Sequence, residues 1–238
     1  MFKSWIASLN LAQQNDWDAR KPKVLKFMKE QLRCSAYLLQ ETDLGMAVYL
    51  AVGLGWSTHE GSPCWGGDKN RNFVIFDDNK FWHRETYAPA LSQKKYDLAD
   101  RHHRSAVWVS LIHMASGEKI TLGSSHLSNG SDTGPDRELQ AERLVETLPT
   151  GPLALGIDRN SRGTSSPAKI LNSAGLKDAT FGLDPRRTYK SGDPRRDGVQ
   201  IDAIHVRDTY LENVTLLETV GLTDHRAWRA KLVVPTPV

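Results

Sequence analysis

Cysteine is nearly missing from this chain: Cys34 and Cys64 are the only two in 238 residues. Two thiols cannot staple a small scaffold, so a fold that depends on a disulfide framework is excluded. Two reduced thiols in a cytoplasmic protein is the plainer expectation than a single bridge. Long apolar runs are missing as well. No stretch approaches the roughly 18–20 residues of a transmembrane helix, and no membrane partner is expected. The apolar part of Met1–Leu9 is short, is interrupted by Ser4 and Ser8 and lacks a small-residue cleavage site, so a first strand is expected there rather than a signal peptide. Charge of one sign is scarce: 31 Lys and Arg against 28 Asp and Glu leave a net +3. The surface as a whole is no trap for a polyanion, and affinity for nucleic acid must come from local patches. Neither an internal repeat nor a linker-like stretch divides the chain. Residues 1–238 are expected to form a single domain, and nothing suggests a dimer seam, so a monomer is favoured.

What is present is an ordinary globular composition, 39% apolar and 25% charged, arranged as short apolar runs that end in polar clusters. Runs such as Tyr37–Leu39, Ile120–Leu122, Leu153–Leu155, Val199–Ile201 and Val220–Leu222 have the length and composition of buried strands. The clusters at their ends are Asn10, Gln40-Glu41, His126, Asp158-Arg159-Asn160, Asp202 and Asp224-His225. In α/β folds, strand ends are where side chains from distant segments are aimed into one crevice.

Strands are expected at 5–11, 36–40, 73–76, 106–113, 119–124, 153–156, 200–206, 213–217 and 227–232, before a frayed tail over 233–238. Helices are expected at 21–33, with Pro22 in the first turn, soon after Glu41, at 136–148 with Leu139, Leu144, Val145 and Leu148 inward, and at 167–174 closed by Gly175. Hairpins and helices interleave, which points to an α/β fold with mixed sheets.

Two segments concentrate positive charge. Residues 93–104 hold Lys94, Lys95, Arg101 and Arg104 against Asp97 and Asp100, and residues 184–198 hold Arg186, Arg187, Lys190, Arg195 and Arg196 against three aspartates. Tyr96 and Tyr189 sit among these charges, a composition able to flank a phosphate backbone.

The polar clusters suit phosphoester chemistry. Hydrolysis requires neutralised nonbridging oxygens, a hydroxide near neutral pH and a stabilised leaving oxygen. Glu41 is the natural anchor for Mg²⁺, which takes few protein carboxylates, and Asn10 either adds an amide oxygen or orients Glu41. His225 suits a general base or a phosphate-contacting acid, according to its protonation, with Asp202 fixing its tautomer and raising its pKa. Asp158 is placed to orient the attacking water, with Asn160 and His126 donating to the phosphate. Each cluster alone is commonplace. A lone Asp-x-Asn is usually turn chemistry.

The ordered set resembles the endonuclease/exonuclease/phosphatase superfamily, with its DNase I-like and exonuclease III-like fold. Ser8-Leu9-Asn10 looks like the first-strand Asn motif, Leu38–Glu41 like the metal-binding Gln-Glu motif, and Ser125-His126-Leu127 like the His-Leu motif. Leu155–Asn160 parallels the Gly-Asp-x-Asn signature. Thr188-Tyr189 with Ile201–Ile204 matches the Thr-aromatic and Ile-Asp pair, and Thr223-Asp224-His225 matches the closing Ser-Asp-His. The match runs from Asn10 to Trp228.

The resemblance implies a four-layer α/β sandwich, two mixed sheets packed face to face between helices. It implies hydrolysis with Mg²⁺ (or Mn²⁺), Glu41 as principal ligand, Asp224 as a helper at the metal, a His225–Asp202 pair, and Arg104 as a phosphate contact. Two departures stand out. Ile157 replaces the usual second Gly, and Arg159 replaces the usual aromatic or apolar residue between Asp158 and Asn160. That charge must point to solvent, pair with a carboxylate, or reach the substrate.

The expectation is a nuclease acting on DNA, or on RNA. The alternatives keep the chemistry on a phosphoinositide, a sphingomyelin-type head group, a nucleotide cofactor or a phosphotyrosyl–DNA link. A binding module on a retired catalytic fold is the remote third. Lipid-acting relatives are expected to show an exposed apolar segment, of which Cys64–Gly67 is the one meagre hint. His102-His103 are adjacent and face opposite sides of an extended chain. His205, three residues beyond Asp202, lies on the opposite strand face.

Overall fold

The computed structural model describes residues 1–12, 16–60, 71–92, 104–129, 134–184, 188–189 and 199–236. In chain order these form β1 (Phe2–Asn10), α1 (Trp17–Phe27, continuing as a π-turn through Leu32), β2 (Ala36–Thr42), α2 (Leu44–Leu54), β3 (Ser57–Glu60) and β4 (Arg71–Phe76). Next come β5 (Phe81–Tyr87), β6 (Ala106–His113), β7 (Lys119–His126), α3 (Gly134–Glu146), β8 (Leu153–Asp158) and α4 (Ser166–Ser173). The described elements end with β9 (Lys177–Asp178), β10 (Asp202–Arg207), β11 (Tyr210–Leu217) and β12 (Ala227–Val234).

The strands make two mixed six-stranded sheets, in the orders β11-β12-β1-β2-β4-β3 and β5-β6-β7-β8-β10-β9. Period-two alternation produces the layers. Ile6, Leu38 and Val74 of the first sheet meet Val107, Leu122, Ala154 and Ile204 of the second in a central core. The opposite faces carry Leu9, Tyr37 and Leu39, packed on Val24 and Phe27 of α1 and Met46 and Leu50 of α2. In the second sheet they carry Trp108, Leu155 and Ile157, packed on Leu144 of α3 and Leu171 of α4. Gly156 lets the sheets approach: a Cβ there would lie 2.5 Å from Ser8 Oγ and 2.7 Å from Leu38 Cβ. The fold is the α/β sandwich expected.

Several element boundaries differ from expectation. Helix α1 begins at Trp17, so Pro22 lies inside it rather than in its first turn. Pro22 and Asp18 are exposed, and water can serve the Asp18 carbonyl that Pro22 leaves without a donor. Edge strands β3 and β5 were not anticipated, because β3 is polar and β5 buries only Phe81. The two-residue β9 is too short for a pattern. Strand β11 starts at Tyr210 because a bulge between Glu212 and Thr215, with Asn213 at φ 51°, hides the alternation.

Leu139 of α3 is exposed, while Leu144 is buried. Val233 and Val234 belong to β12 and pair with Lys3 and Phe2, so the strand runs two residues further than expected. The apolar runs 199–201 and 220–222 are not strands. The first precedes β10, and the second is a turn closed by a hydrogen bond from Leu222 N–H to the Thr219 carbonyl. Cys34 is a free thiol, pushed up to about 12 by burial. Cys64 and both clusters of basic residues, apart from Arg104, lie outside the described residues, as do His102 and His103. No described helix is long and apolar enough to cross a membrane.

Candidate active site

Strand register assembles the site. In the first sheet Asn10 pairs with Gln40 across β1 and β2. In the second, His126 pairs with Asp158 across β7 and β8, and Asp158 with Asp202 across β8 and β10. Asn10, His126, Asp158 and Asp202 fall on the inner-facing parity of their strands, so they meet where the inner faces run out at the sheet ends. By the same alternation Glu41 would face outward. A register shift between Leu39 and Thr42, with Glu41 at φ 47°, turns its carboxylate inward.

The contacts are short and buried. The Asn10 amide nitrogen donates to Glu41 Oε1 at 2.9 Å and to Asp158 Oδ2 at 3.0 Å, joining the two sheets. Its oxygen accepts from the Ala12 N–H at 2.9 Å, so Asn10 turns its nitrogen to the carboxylates and orients them. Gln40, buried, is also turned between the sheets, with Nε2 2.9 Å from Ser124 Oγ. It braces Glu41's strand and does not face the site.

His126 stands between two groups. Its Nδ1 is 3.1 Å from Arg104 Nη1, and its Nε2 is 2.7 Å from Asn160 Nδ2, 3.6 Å from Asp158 Oδ2 and 3.9 Å from Glu41 Oε1. Arg104 is buried and holds the ring nitrogen that faces away from Asp158.

His225 completes the site. Its Nδ1 lies 2.9 Å from Asp202 Oδ2 and 3.1 Å from Oδ1, leaving Nε2 3.9 Å from Asp158 Oδ2 and 4.0 Å from Asp224 Oδ1. Asp224 stands at the rim, 40% exposed. The Tyr189 ring sits 5.1 Å from that of His225, and the two residues form a β-bridge.

Polar residues set the surrounding backbone. Thr188 Oγ1 accepts from the N–H groups of both Ile201 and Asp202 at 3.0 Å, Trp228 Nε1 donates to the Asp202 carbonyl at 3.0 Å, and Thr223 Oγ1 donates to the Asn10 carbonyl at 2.9 Å. Buried Arg20 ties the segment after β1 to the turn before His225, donating to the carbonyls of Leu11, Ala12 and Leu222. Arg20 was missed because a lone Arg on an amphipathic helix carries no sequence mark of burial.

Electrostatics divides the labour. Burial opposes a charge on His225, but Asp202, with Asp158 and Asp224, outweighs it and raises the ring to about 10. Burial, with the Asp202 charge beside it, raises Asp158 to about 7. Two sets of donors are compact enough for a cation: Glu41, His126 and Asp158, and Asp158, Asp202 and His225, each with ligand atoms within 4.8 Å of one another. Asp202 is held by His225, and Asp158 accepts from Asn10 and from the Asn160 N–H, which leaves Glu41, partly exposed, as the hard oxygen donor that fits a divalent cation.

No protein-family model and no curated protein matches this sequence. Solved structures do. An endonuclease/exonuclease/phosphatase from Bacteroides vulgatus superposes with a TM-score of 0.85 at 17% identity, over 99% of this chain and 100% of the other. D. rerio TDP2, complexed with a single-strand DNA product, superposes with a TM-score of 0.78 at 15% identity, over 98% and 99%. A mannosyl-6-phosphatase from Bacteroides thetaiotaomicron gives 0.77 at 18% identity, over 96% and 99%. At such identities the likeness is one of fold, and this chain shares the fold of the endonuclease/exonuclease/phosphatase superfamily that its ordered motifs resemble.

Proposed function

We propose that this chain is a divalent-metal-dependent phosphodiester hydrolase acting on nucleic acid. The observation that carries this is the geometry: His225, held through Nδ1 by Asp202, presents Nε2 3.9 Å from the buried Asp158 carboxylate, which shares its cluster with His126 and Glu41. His225 and Asp158 are both raised from their ordinary values, the ring to about 10 and the carboxyl to about 7, so near neutral pH the ring favours its proton and the carboxylate can take one up.

Asp158, pushed up to about 7, accepts a proton from the water as its oxygen bonds to phosphorus, and the leaving oxygen, released as its own P–O bond breaks, regains a proton from solvent. His225, charged through Asp202, places Nε2–H against a nonbridging phosphate oxygen and stabilises the charge that grows there. Asn160 and His126 orient the phosphate from the far side of Asp158, and Arg104 fixes the His126 ring. Glu41 would hold Mg²⁺ or Mn²⁺, which neutralises phosphate charge when bound.

Two features support nucleic acid as the substrate. Arg104, at the site through His126, ends the basic segment 93–104, and Tyr189, at the site through His225, lies within the basic segment 184–198. A structural neighbour is complexed with single-strand DNA. The mannosyl-6-phosphatase neighbour favours a second reading, a small phosphate ester.

The test is cleavage of supercoiled plasmid, duplex and single-stranded DNA, and RNA, with Mg²⁺, Mn²⁺ or EDTA. A phosphomonoester, a phospholipid and an aryl phosphodiester run alongside. Metal-dependent cutting lost in His225→Ala and Glu41→Gln is expected. Hydrolysis of the monoester alone would move the substrate to a sugar phosphate. Hydrolysis of the phospholipid alone would give a role to Leu44, Val48 and Val52, exposed on α2.

A further inference from the structure

Arg159 stands between Asp158 and Asn160, the two site residues at the end of β8. Asp158 faces the inner side of the second sheet, and alternation sends Arg159 to the outer side, the side on which Ile157 joins the outer core. There its guanidinium is completely buried. Nη1 lies 2.5 Å from Asp178 Oδ2 and 2.9 Å from His205 Nε2. The His205 Nδ1–H donates to the Leu176 carbonyl at 2.8 Å, so Nε2 is free to accept from the guanidinium. Asp178 Oδ1 accepts from both the N–H and the hydroxyl of Thr180, at 3.0 and 2.8 Å.

This cluster is an odd choice for stability alone. Arg159 Nε and Nη2 are buried with no hydrogen-bond partner among the described residues, and replacing both members of a buried ion pair so incompletely satisfied by apolar residues of similar volume is commonly neutral or stabilising. In front of the cluster lies the turn that carries Asp158 and Asn160 into the site. The Arg159 N–H donates to the Ile201 carbonyl at 2.9 Å, the last backbone pairing before the chain turns. Asn160 follows in the left-handed region at φ 49°, its N–H donating to Asp158 Oδ1 at 2.8 Å and its amide nitrogen to the Leu127 carbonyl at 2.9 Å. A non-glycine residue in that region persists when its surroundings over-determine it.

We propose that Arg159 is a positioning residue: clamped by Asp178 and His205 behind the sheet, it locks the Asp158–Asn160 turn so that the Asp158 carboxylate and the Asn160 amide keep their aim into the site. The effect on turnover rests on Asp158 being the proton acceptor of the proposed hydrolysis. The effect on the turn does not.

The experiment compares the wild type with Arg159→Met and Arg159→Lys by three readouts. These are hydrogen exchange at the Asn160 amide, kcat and KM on an aryl phosphodiester with Mn²⁺, and the melting temperature. Arg159→Met is expected to exchange the Asn160 amide about 10-fold faster while central strand amides stay protected. Its kcat is expected to fall about 10- to 100-fold, since a small misplacement at a reacting group costs that much. KM should change little, and the melting temperature should fall, because Asp178 is left buried without its cation, so kcat is read well below both transitions. Arg159→Lys, which keeps the charge and loses the fork, should fall between.

Unchanged exchange at Asn160 overturns the proposal. So does a kcat loss that merely tracks a falling melting temperature in both variants. If Arg159→Met speeds exchange but the wild type hydrolyses no phosphoester, the clamp stands and the proposed function fails. Should Arg159→Met not fold, Asp178→Asn weakens the same ion pair and is read in the same way.

Discussion

Two histidines of the second sheet's neighbourhood are buried beside an aspartate, and the protein holds them in opposite states. His225, against Asp202 in front of the sheet, is raised to about 10. His205, behind the sheet, is lowered to about 4 by burial and then by the Arg159 charge, although Asp178 pulls the other way. Burial pushes both rings towards neutrality. The sign of the nearest neighbours decides the rest: three carboxylates around one ring, a guanidinium against the other. A buried His–Asp proximity therefore says little until the third partner is known.

Removing Asp202 should have the largest effect on His225. In Asp202→Asn, His225 keeps its burial and loses its first anion, so its pKa should fall by about two units or more, as read by NMR titration of the ring. Turnover should fall about 10²- to 10³-fold with it. A ring that still titrates near 10 would mean that Asp158 and Asp224 suffice to hold the charge.

Acid should expose the other histidine. The folded pKa of His205, about 4, lies below its ordinary 6.5, so the unfolded chain binds the proton more readily. Its contribution is complete above 6.5 and is lost as pH falls from there towards 4, about 3 kcal/mol in all. The sign is opposite for His225, whose contribution is complete below 6.5 and lost as pH rises towards 10. Urea unfolding of wild type and His205→Asn from pH 4 to 8 measures the first. Parallel curves would refute it.

The front cluster spans both sheets, whereas the back cluster belongs to one. Gly156→Ala places a methyl against Ser8 and Leu38 and should cost about 1–3 kcal/mol in the melting transition. Turnover should drop as Glu41 shifts relative to Asp158, and the His205 titration should stay put. Equal disturbance of both histidines would argue against this division. The smallest effect is expected from Arg159→Met on the neighbouring ring. With the guanidinium gone and Asp178 kept, His205 should titrate about one unit or more higher, closer to the behaviour of His225.

The central strands and most site residues were legible because buried strands need continuous apolar runs and site residues cap their ends. Leu153–Asp158 and Lys119–His126 show this directly. Strands β3 and β5 were not legible, since an edge strand with one covered face asks little of its side chains. The runs 199–201 and 220–222 misled for the converse reason: an apolar run can equally fill a turn that packs on the core, as Leu222 does. Gln40 was grouped with Glu41 by adjacency. Residues one apart on a strand face opposite ways, and only the register shift after Leu39 shows which of the two the site receives.

The amino-acid sequence carries the α/β layering and the order of the polar clusters, because alternation and strand-end chemistry are local. It left three fates open for the Arg159 charge, and among them only the tertiary structure chose the pairing with a carboxylate, Asp178, with His205 as acceptor. The tertiary structure also decided which histidine is pushed towards its cation and which away from it, which way Asn10 turns its amide, and that Arg104 reaches His126. These depend on electrostatics and hydrogen bonds between residues as much as 148 positions apart, and such distances exist only once the sheets have packed.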